Sequence, residues 1–240
     1  MSVIKWVKDE NVAVLTMQNG ENRHNPEFSG AMLKAFKEMV DDNDIHSMVI
    51  TSSDPKNWCL GVDVQWMMER FQENNFKAIS KWLYEQNEVF KFLLMSPFPS
   101  IAAITGHAFG NGAIMSCACD YRFMRSDRGY FCLPEVDLNI QFTPSMIEWM
   151  KKAMPYQLFT ELKFSGRRIG AEELKKNNVI INACDGIENT VNEAVSFAKK
   201  FHKSRKTLTE MKKRTFKHIT DKMINEDPKY LDPPVFMMTP

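Results

Sequence analysis

Ser100 to Cys119 reads SIAAITGHAFGNGAIMSCAC, and the order of features within it decides the fold class. Ser100 to Thr105 is a short, fully apolar run of strand length, and Gly106 closes it. The Gly110-Asn111-Gly112 cluster then opens an apolar helical stretch from Ala113 to Cys119, giving a strand, a glycine turn and a helix in sequence. The same order recurs upstream. Val12–Met17 is a β-branched strand followed by the turn formers Gln18-Asn19-Gly20, and residues 26–40 repeat Phe28, Met32, Ala35, Phe36 and Met39 at helical spacing. Ser47–Thr51 is a second strand. Helical patterns return over 64–70 and 76–95 until Pro97 and Pro99 break them. Tyr121–Met124 reads as a further strand, and the chain beyond Ser145 is mostly helical. Repeated β-then-α order predicts an α/β fold. The C-terminal stretch with Pro228, Pro233, Pro234 and Pro240 is expected to be an extended or loosely ordered tail.

The chain has 240 residues, 44% hydrophobic and 25% charged, inside the globular range and able to bury one continuous core. Lys+Arg 31 against Asp+Glu 30 leaves a formal charge of +1. That balance excludes the whole-molecule field of a nucleic-acid or membrane-surface binder, so any polyanion site has to be local. The N-terminus mixes charges into its apolar residues, and no stretch approaches the ~18 apolar residues of a membrane span, so neither a leader nor a membrane partner is expected. Cys59, Cys117, Cys119, Cys132 and Cys184 are odd in number and lack a repeated CxxC spacing. They predict free, buried thiols in a reducing, cytoplasmic setting and no metal site.

Two glycine turns place a glycine just ahead of a helix start: Leu60-Gly61-Val62-Asp63 and Gly110-Asn111-Gly112. The first N–H groups of such helices lack partners and carry the positive end of the helix dipole. Two of them converging on one point would hold a developing oxyanion. Neither turn is a P-loop or a GxGxxG, so no nucleotide cofactor is indicated. Taken alone, each is an ordinary helix start.

Four segments in order carry a family likeness. They are NRHN (22–25), CLGVDV (59–64), ITGHAFGNGAIMSCACDYRFM (104–124) and YFCLPEVDLNI (130–140), continued by SGRRIGAEEL (165–174). Residues 3–185 thus resemble the crotonase superfamily, and CDYRFMRSDRGYFCLPE (119–135) is most similar to the delta-3,delta-2-enoyl-CoA isomerases. The resemblance implies a spiral of ββα units assembled as a homotrimer or homohexamer. It also implies an acyl-CoA substrate, with coenzyme A part of that substrate and no further cofactor, and an enolate oxygen held by two backbone N–H groups. It places those donors on Val62 and Asn111, with Leu60, Gly61, Asp63, Gly110, Ile114 and Pro134 as flanking substrate-binding positions. It divides the chain into a core, 1–185, for acyl-CoA binding and catalysis, and a helical region, 186–240, for oligomerisation and CoA contact. The family commonly has glycine where this chain has Asn111. The backbone N–H serves equally, and the side chain is expected to narrow the pocket, beside generic bulk at Trp66, Met67, Met68, Trp82 and Phe90.

By the same resemblance, hydratases use two glutamates, one in the helix after the second glycine turn and one in the loop after the next strand. Here those positions hold Ile114 and Glu135. Hydration needs a paired acid and base, whereas an isomerase needs one base that carries a proton from one carbon to another. The expected activity is therefore isomerisation of 3-enoyl-CoA to 2-enoyl-CoA, with thioester hydrolysis, hydration or catalytically quiet acyl-CoA binding as the rivals. Read on its own, Glu135 is a surface loop carboxylate, but Phe131, Cys132, Leu133, Val136 and Leu138 around it favour burial and a raised pKa. If this stretch is extended, Asp137 shares a face with Glu135, although a structural or solvated role suits it better. His24 and His107 read as packing or hydrogen-bonding residues, and Asp63 and Asp120 fit helix-cap or turn roles.

Between Lys199 and Lys217, nine Lys or Arg face one acid, Glu210. The run reads as a solvated helix face, with a local site for the CoA phosphates on a neighbouring subunit as the alternative; base-stacking aromatics are not interleaved, which argues against nucleic acid. Phe197, Phe201, Leu208, Met211 and Phe216 form an apolar stripe beside it, expected to serve oligomerisation.

Overall fold

The computed structural model describes residues 2–232 and 234. The first half contains β1 (Ile4–Asp9), β2 (Val12–Met17), α1 (Pro26–Asp41), β3 (Ser47–Ser52), β4 (Asn57–Cys59), α2 (Val64–Gln72), α3 (Phe76–Met95), β5 (Ser100–Ile104) and β6 (His107–Phe109). There follow α4 (Asn111–Ala118), β7 (Tyr121–Arg125), β8 (Phe131–Cys132) and a 3₁₀ turn, Pro134–Leu138. The remainder is α5 (Pro144–Ala153), α6 (Tyr156–Ser165), α7 (Ala171–Lys176), β9 (Asn182–Cys184), α8 (Gly186–Ala198), α9 (Arg205–Thr215), α10 (Lys217–Asn225) and α11 (Pro228–Leu231).

The strands form a large sheet ordered β1-β2-β3-β5-β7-β9 and a small one ordered β4-β6-β8. Among the described strands, β1 and β2 pair antiparallel and the neighbours within the two sheets otherwise pair parallel. Each of the pairs β3–β4, β5–β6 and β7–β8 sends its first strand to the large sheet and its second to the small one before helices intervene. This is a spiral of ββα units. The two short strands β4 and β6 lie inside stretches that read in sequence as a loop and a single glycine turn. Three residues each carry no periodicity.

The run at β5 is apolar throughout because the large sheet is covered on both faces. Ile101 and Ala103 meet Ala194 and Ala198 of α8, while Ala102 and Ile104 face the main core with Phe28, Phe90 and Trp149. The same alternation splits Val49 from Met48 and Ile50 in β3, and Phe123 from Met124 in β7. Helix α4 runs through this core with every residue buried. Its C-terminal carbonyls are met by cations: Lys152 donates to Cys117, Ala118 and Cys119 O (3.2, 3.1 and 2.7 Å), and Arg122 to Ser116 and Cys119 O (3.1 and 2.8 Å). Those donors satisfy the orphan acceptors of the helix end and oppose its negative pole. The helix is thereby fixed with its N-terminus free.

The C-terminal helices join the same core. α8 lies on the large sheet, and Ile219 and Met223 of α10 pack with the main cluster. Pro228 opens α11 instead of an extended tail, and Pro233 and Pro240 lie outside the described residues. Much of the basic run is tied down within the subunit. Arg205 donates to Val40 O in the last turn of α1 and to Ile45 O beyond it (2.9 and 2.8 Å), Lys199 pairs with Asp9 and Glu10 (2.9 Å each), and Lys212 is buried against Asp120 at 2.7 Å. The apolar stripe is not one free face either. Phe197 and Phe201 pack around Tyr121 at 4.9 and 5.6 Å, Phe216 leans on the main core, and Met211 is exposed. Among the described residues no helix is long and apolar enough to cross a membrane, and no cluster of His, Cys, Asp or Glu could hold a metal ion. All five cysteines are free and buried.

Candidate active site

Strands β4 and β6 pair in parallel, Asn57 beside His107 and Cys59 beside Ala108, so their C-terminal ends deliver two turns to the same edge of the small sheet. The turns are packed to backbone contact. A Cβ on Gly61, at φ +78, would stand 2.8 Å from Phe109 O and 2.9 Å from Asn111 N, and one on Gly112 would stand 2.3 Å from Cys59 O. Side chains are thus excluded at both points, and Val62 and Asn111 come close together. Asn111 is the first residue of α4, and among the described residues neither its N–H nor that of Val62 donates to anything. Two free N–H groups at adjacent turns, one of them on a helix N-terminus, are suited to a partial negative charge on oxygen.

These turns border a cavity of about 250 Å³ lined by Leu60, Val62, Gly110, Asn111, Ile114, Pro134 and Glu135. Its far walls are apolar: Val64, Met67, Leu83, Leu138, Ile140, Phe142 and Met146. Arg23 and Glu135 are the charged residues among those lining it. Ile114, in the first turn of α4, adds a hydrocarbon side chain to the lining. Trp66, Met68, Trp82 and Phe90, expected to line the pocket, do not; Trp82 lies in a small cluster with Met67, Ile79 and Leu83, and Phe90 packs edge-on to Trp149 at 5.0 Å.

Glu135 sits in the first turn of the 3₁₀ segment that Pro134 opens after β8. It is 8% exposed, and its Oε2 has no hydrogen-bond partner. Its Oε1 lies 3.2 Å from where a Cβ on Gly110 would be, so the carboxylate stands against the second turn. Burial, only partly offset by its own backbone N–H, pushes its pKa up to about 7. A carboxylate so placed exchanges protons readily near neutrality.

Asp137 has the structural, solvated role that suited it better: the 3₁₀ turn leaves it exposed and packed against Gly166, away from the cavity. Three expectations are corrected. Asp63 does not line the cavity; it caps α2, accepting from Trp66 N–H and Asn25 Nδ2 at 3.0 Å each. Gly61 is likewise a packing position behind Val62 and not a lining one. The Asn111 side chain turns back toward His24, its Nδ2 being 3.1 Å from His24 Nδ1, so it is directed behind the turn. His107 stays at the edge, where its Nδ1 accepts from Tyr130 N–H at 3.2 Å. His24 packs and hydrogen-bonds as expected, but its partners were not legible, because Cys59 and Asn111 lie 35 and 87 residues away.

A ββα spiral with paired backbone donors and a buried carboxylate at the edge of its small sheet defines a crotonase-fold protein. The fold is shared with solved structures. An apo enoyl-CoA isomerase from Mycobacterium tuberculosis superposes with a TM-score of 0.82 at 20% identity, covering 95% of this chain and 97% of that one. An enoyl-CoA hydratase from Bacillus halodurans does so with a TM-score of 0.87 at 16% identity, over 99% and 96%. The sequence profile described as enoyl-CoA hydratase/isomerase matches residues 7–237, and the chain belongs to that family. It is 29% identical over 192 residues to a peroxisomal enoyl-CoA delta isomerase 2 of Arabidopsis thaliana, covering 76% of this chain and 77% of the relative. It is also 28% identical over 182 residues to a fatty acid oxidation complex subunit alpha of Vibrio parahaemolyticus, covering 74% of this chain and 25% of that longer protein.

Proposed function

We propose that the protein is an enoyl-CoA isomerase that moves the double bond of a 3-enoyl-CoA into conjugation with its thioester. The observation that carries this reading is that Glu135 is the one carboxylate among the described residues lining the cavity, which Ile114 also lines. The Glu135 carboxylate takes a proton from the α-carbon, and the electron pair moves into the thioester, whose oxygen becomes an enolate held by the Val62 and Asn111 N–H groups. Collapse of the enolate shifts the double bond to the α,β position as the β,γ bond opens onto the γ-carbon. That carbon takes the proton back from Glu135. No electron leaves the substrate, so coenzyme A enters only as part of it. Without a second acid and base, water is neither activated nor delivered to the β-carbon.

The likeness to a delta isomerase supports this reading, and the hydratase names among the structural neighbours set the main alternative. The protein acts as a trimer or a dimer of trimers, which the exposed Tyr156 and Phe164 of α6 support as apolar surface awaiting cover. The buried thiols fit a reducing compartment such as the cytoplasm. Purified protein offered 3-enoyl-CoA and then 2-enoyl-CoA decides among the readings. Conversion of the first identifies the isomerase; hydration of the second, release of free CoA, or binding without turnover identifies each rival.

A further inference from the structure

His24 joins the two turns through contacts that the proton shuttle does not use. Its backbone brackets Val62: the His24 N–H donates to Gly61 O at 2.7 Å, and the Asp63 N–H donates to His24 O at 2.9 Å. Its ring reaches the other turn, with Nδ1 3.1 Å from Asn111 Nδ2. An amide NH₂ can only donate, so Nδ1 accepts and the ring proton sits on Nε2. Nε2 in turn faces Cys59 Sγ at 3.1 Å, and the Cys59 thiol donates to Asn22 O at 3.0 Å. Phe28 stacks on the ring at 4.6 Å and no solvent reaches it, so burial holds its pKa down at about 3 and the tautomer persists through neutral pH.

We propose that His24 is a positioning residue that sets the separation of the Val62 and Asn111 N–H groups, gripping one turn by its backbone and the other by its ring. This rests on the reading of those two groups as oxyanion donors. The argument for a dedicated partner comes from residue 111 itself. A glycine there would have nothing to satisfy, whereas the Asn111 amide is 7% exposed: its Oδ1 finds no partner, and the contact of its Nδ2 with His24 is the side-chain hydrogen bond it makes among the described residues. Gly110 before it holds φ 53 and ψ −125, so the peptide that carries the Asn111 N–H is preceded by the most permissive residue in the chain. Anchoring the Asn111 side chain on a neutral, fully enclosed imidazole restrains that peptide from beyond the turn. His24 and Asn111 thus act as a matched pair.

The test is a double-mutant cycle assayed with 3-enoyl-CoA. His24→Leu is expected to lower kcat by about tenfold with KM changed less than about twofold. His24→Asn, whose amide oxygen falls where Nδ1 stands, is expected to recover most of that loss. In a chain already carrying Asn111→Gly, adding His24→Leu is expected to change kcat by less than about twofold, because the bond it breaks is no longer there. Equal losses in both backgrounds, or no rescue by His24→Asn, would overturn the proposal in favour of simple packing. A second readout does not need turnover: in ¹⁵N-histidine-labelled protein the His24 ring is expected to remain the neutral Nε2–H form from about pH 5 to about pH 9, and Asn111→Gly is expected to shift its Nδ1 resonance. Wild-type protein that fails to isomerise 3-enoyl-CoA defeats the functional reading alone. A ring that ignores Asn111→Gly defeats the positioning role alone.

Discussion

Glu135 faces Gly110: the carboxylate Oε1 lies 3.2 Å from the place a Cβ on Gly110 would take, and Pro134 Cδ lies 4.0 Å from it. The carboxylate and the second turn are therefore set against each other by a residue that has no side chain. Gly110 also holds φ 53 with ψ −125, a region that other residues enter at a cost of about 1–3 kcal/mol. Gly110→Ala is expected to lower the melting temperature and, because the methyl group pushes on the carboxylate, to reduce kcat by more than tenfold. Thermal unfolding together with turnover of 3-enoyl-CoA checks both effects.

Asn111 opens α4, the position at which proline is best tolerated. Asn111→Pro removes one N–H outright and is expected to reduce kcat by roughly 100-fold or more, the usual worth of an oxyanion donor. Asn111→Gly retains the N–H and is expected to cost far less. Steady-state kinetics of the pair separate the backbone donor from the side chain.

The raised pKa of Glu135 has a sign for activity and a sign for stability. As a base it works ionised, so the rate is expected to rise with pH and level off above about 7. Folding favours its neutral form, so between the unperturbed value of 4.5 and about 7 the native state binds more protons than the unfolded state. Stability from this group is fully present below that window and is lost as pH rises through it. Relative to Glu135→Gln, wild-type protein is expected to lose on the order of 3 kcal/mol between acid and alkaline ends of the window. Urea unfolding of both proteins at several pH values measures the difference.

Ile114 is buried and lines the same cavity as Glu135. Ile114→Glu supplies the second carboxylate that water addition requires and is expected to bring measurable hydration of 2-enoyl-CoA. It buries an unpaired acid, at a stability cost of about 1–3 kcal/mol. Absorbance loss at the conjugated thioester, with unfolding measured in parallel, reports both.

The longer elements were legible because burial marks them: β5 is an unbroken apolar run whose Ile101 and Ala103 face α8 while Ala102 and Ile104 face the main core, and α1 repeats Phe28, Met32 and Phe36 at helical spacing. Strands β4, β6 and β8 were not, since two or three residues leave no period to read. The same shortness hid the 3₁₀ turn, so the side of the chain on which Asp137 stands relative to Glu135 could not be read from the sequence. Glu135 and the two glycine turns could be picked out by motif order. The bond from Asn111 to His24 could not, because it spans 87 residues and depends on β4 and β6 lying side by side.

The central claim is that one carboxylate carries the proton between two carbons. Glu135→Gln keeps the size and shape of the side chain while removing the base. Isomerisation of 3-enoyl-CoA by this variant is expected to fall by about a hundredfold to ten-thousandfold, with acyl-CoA binding retained. Turnover near the wild-type rate would contradict the account and move the base to another residue.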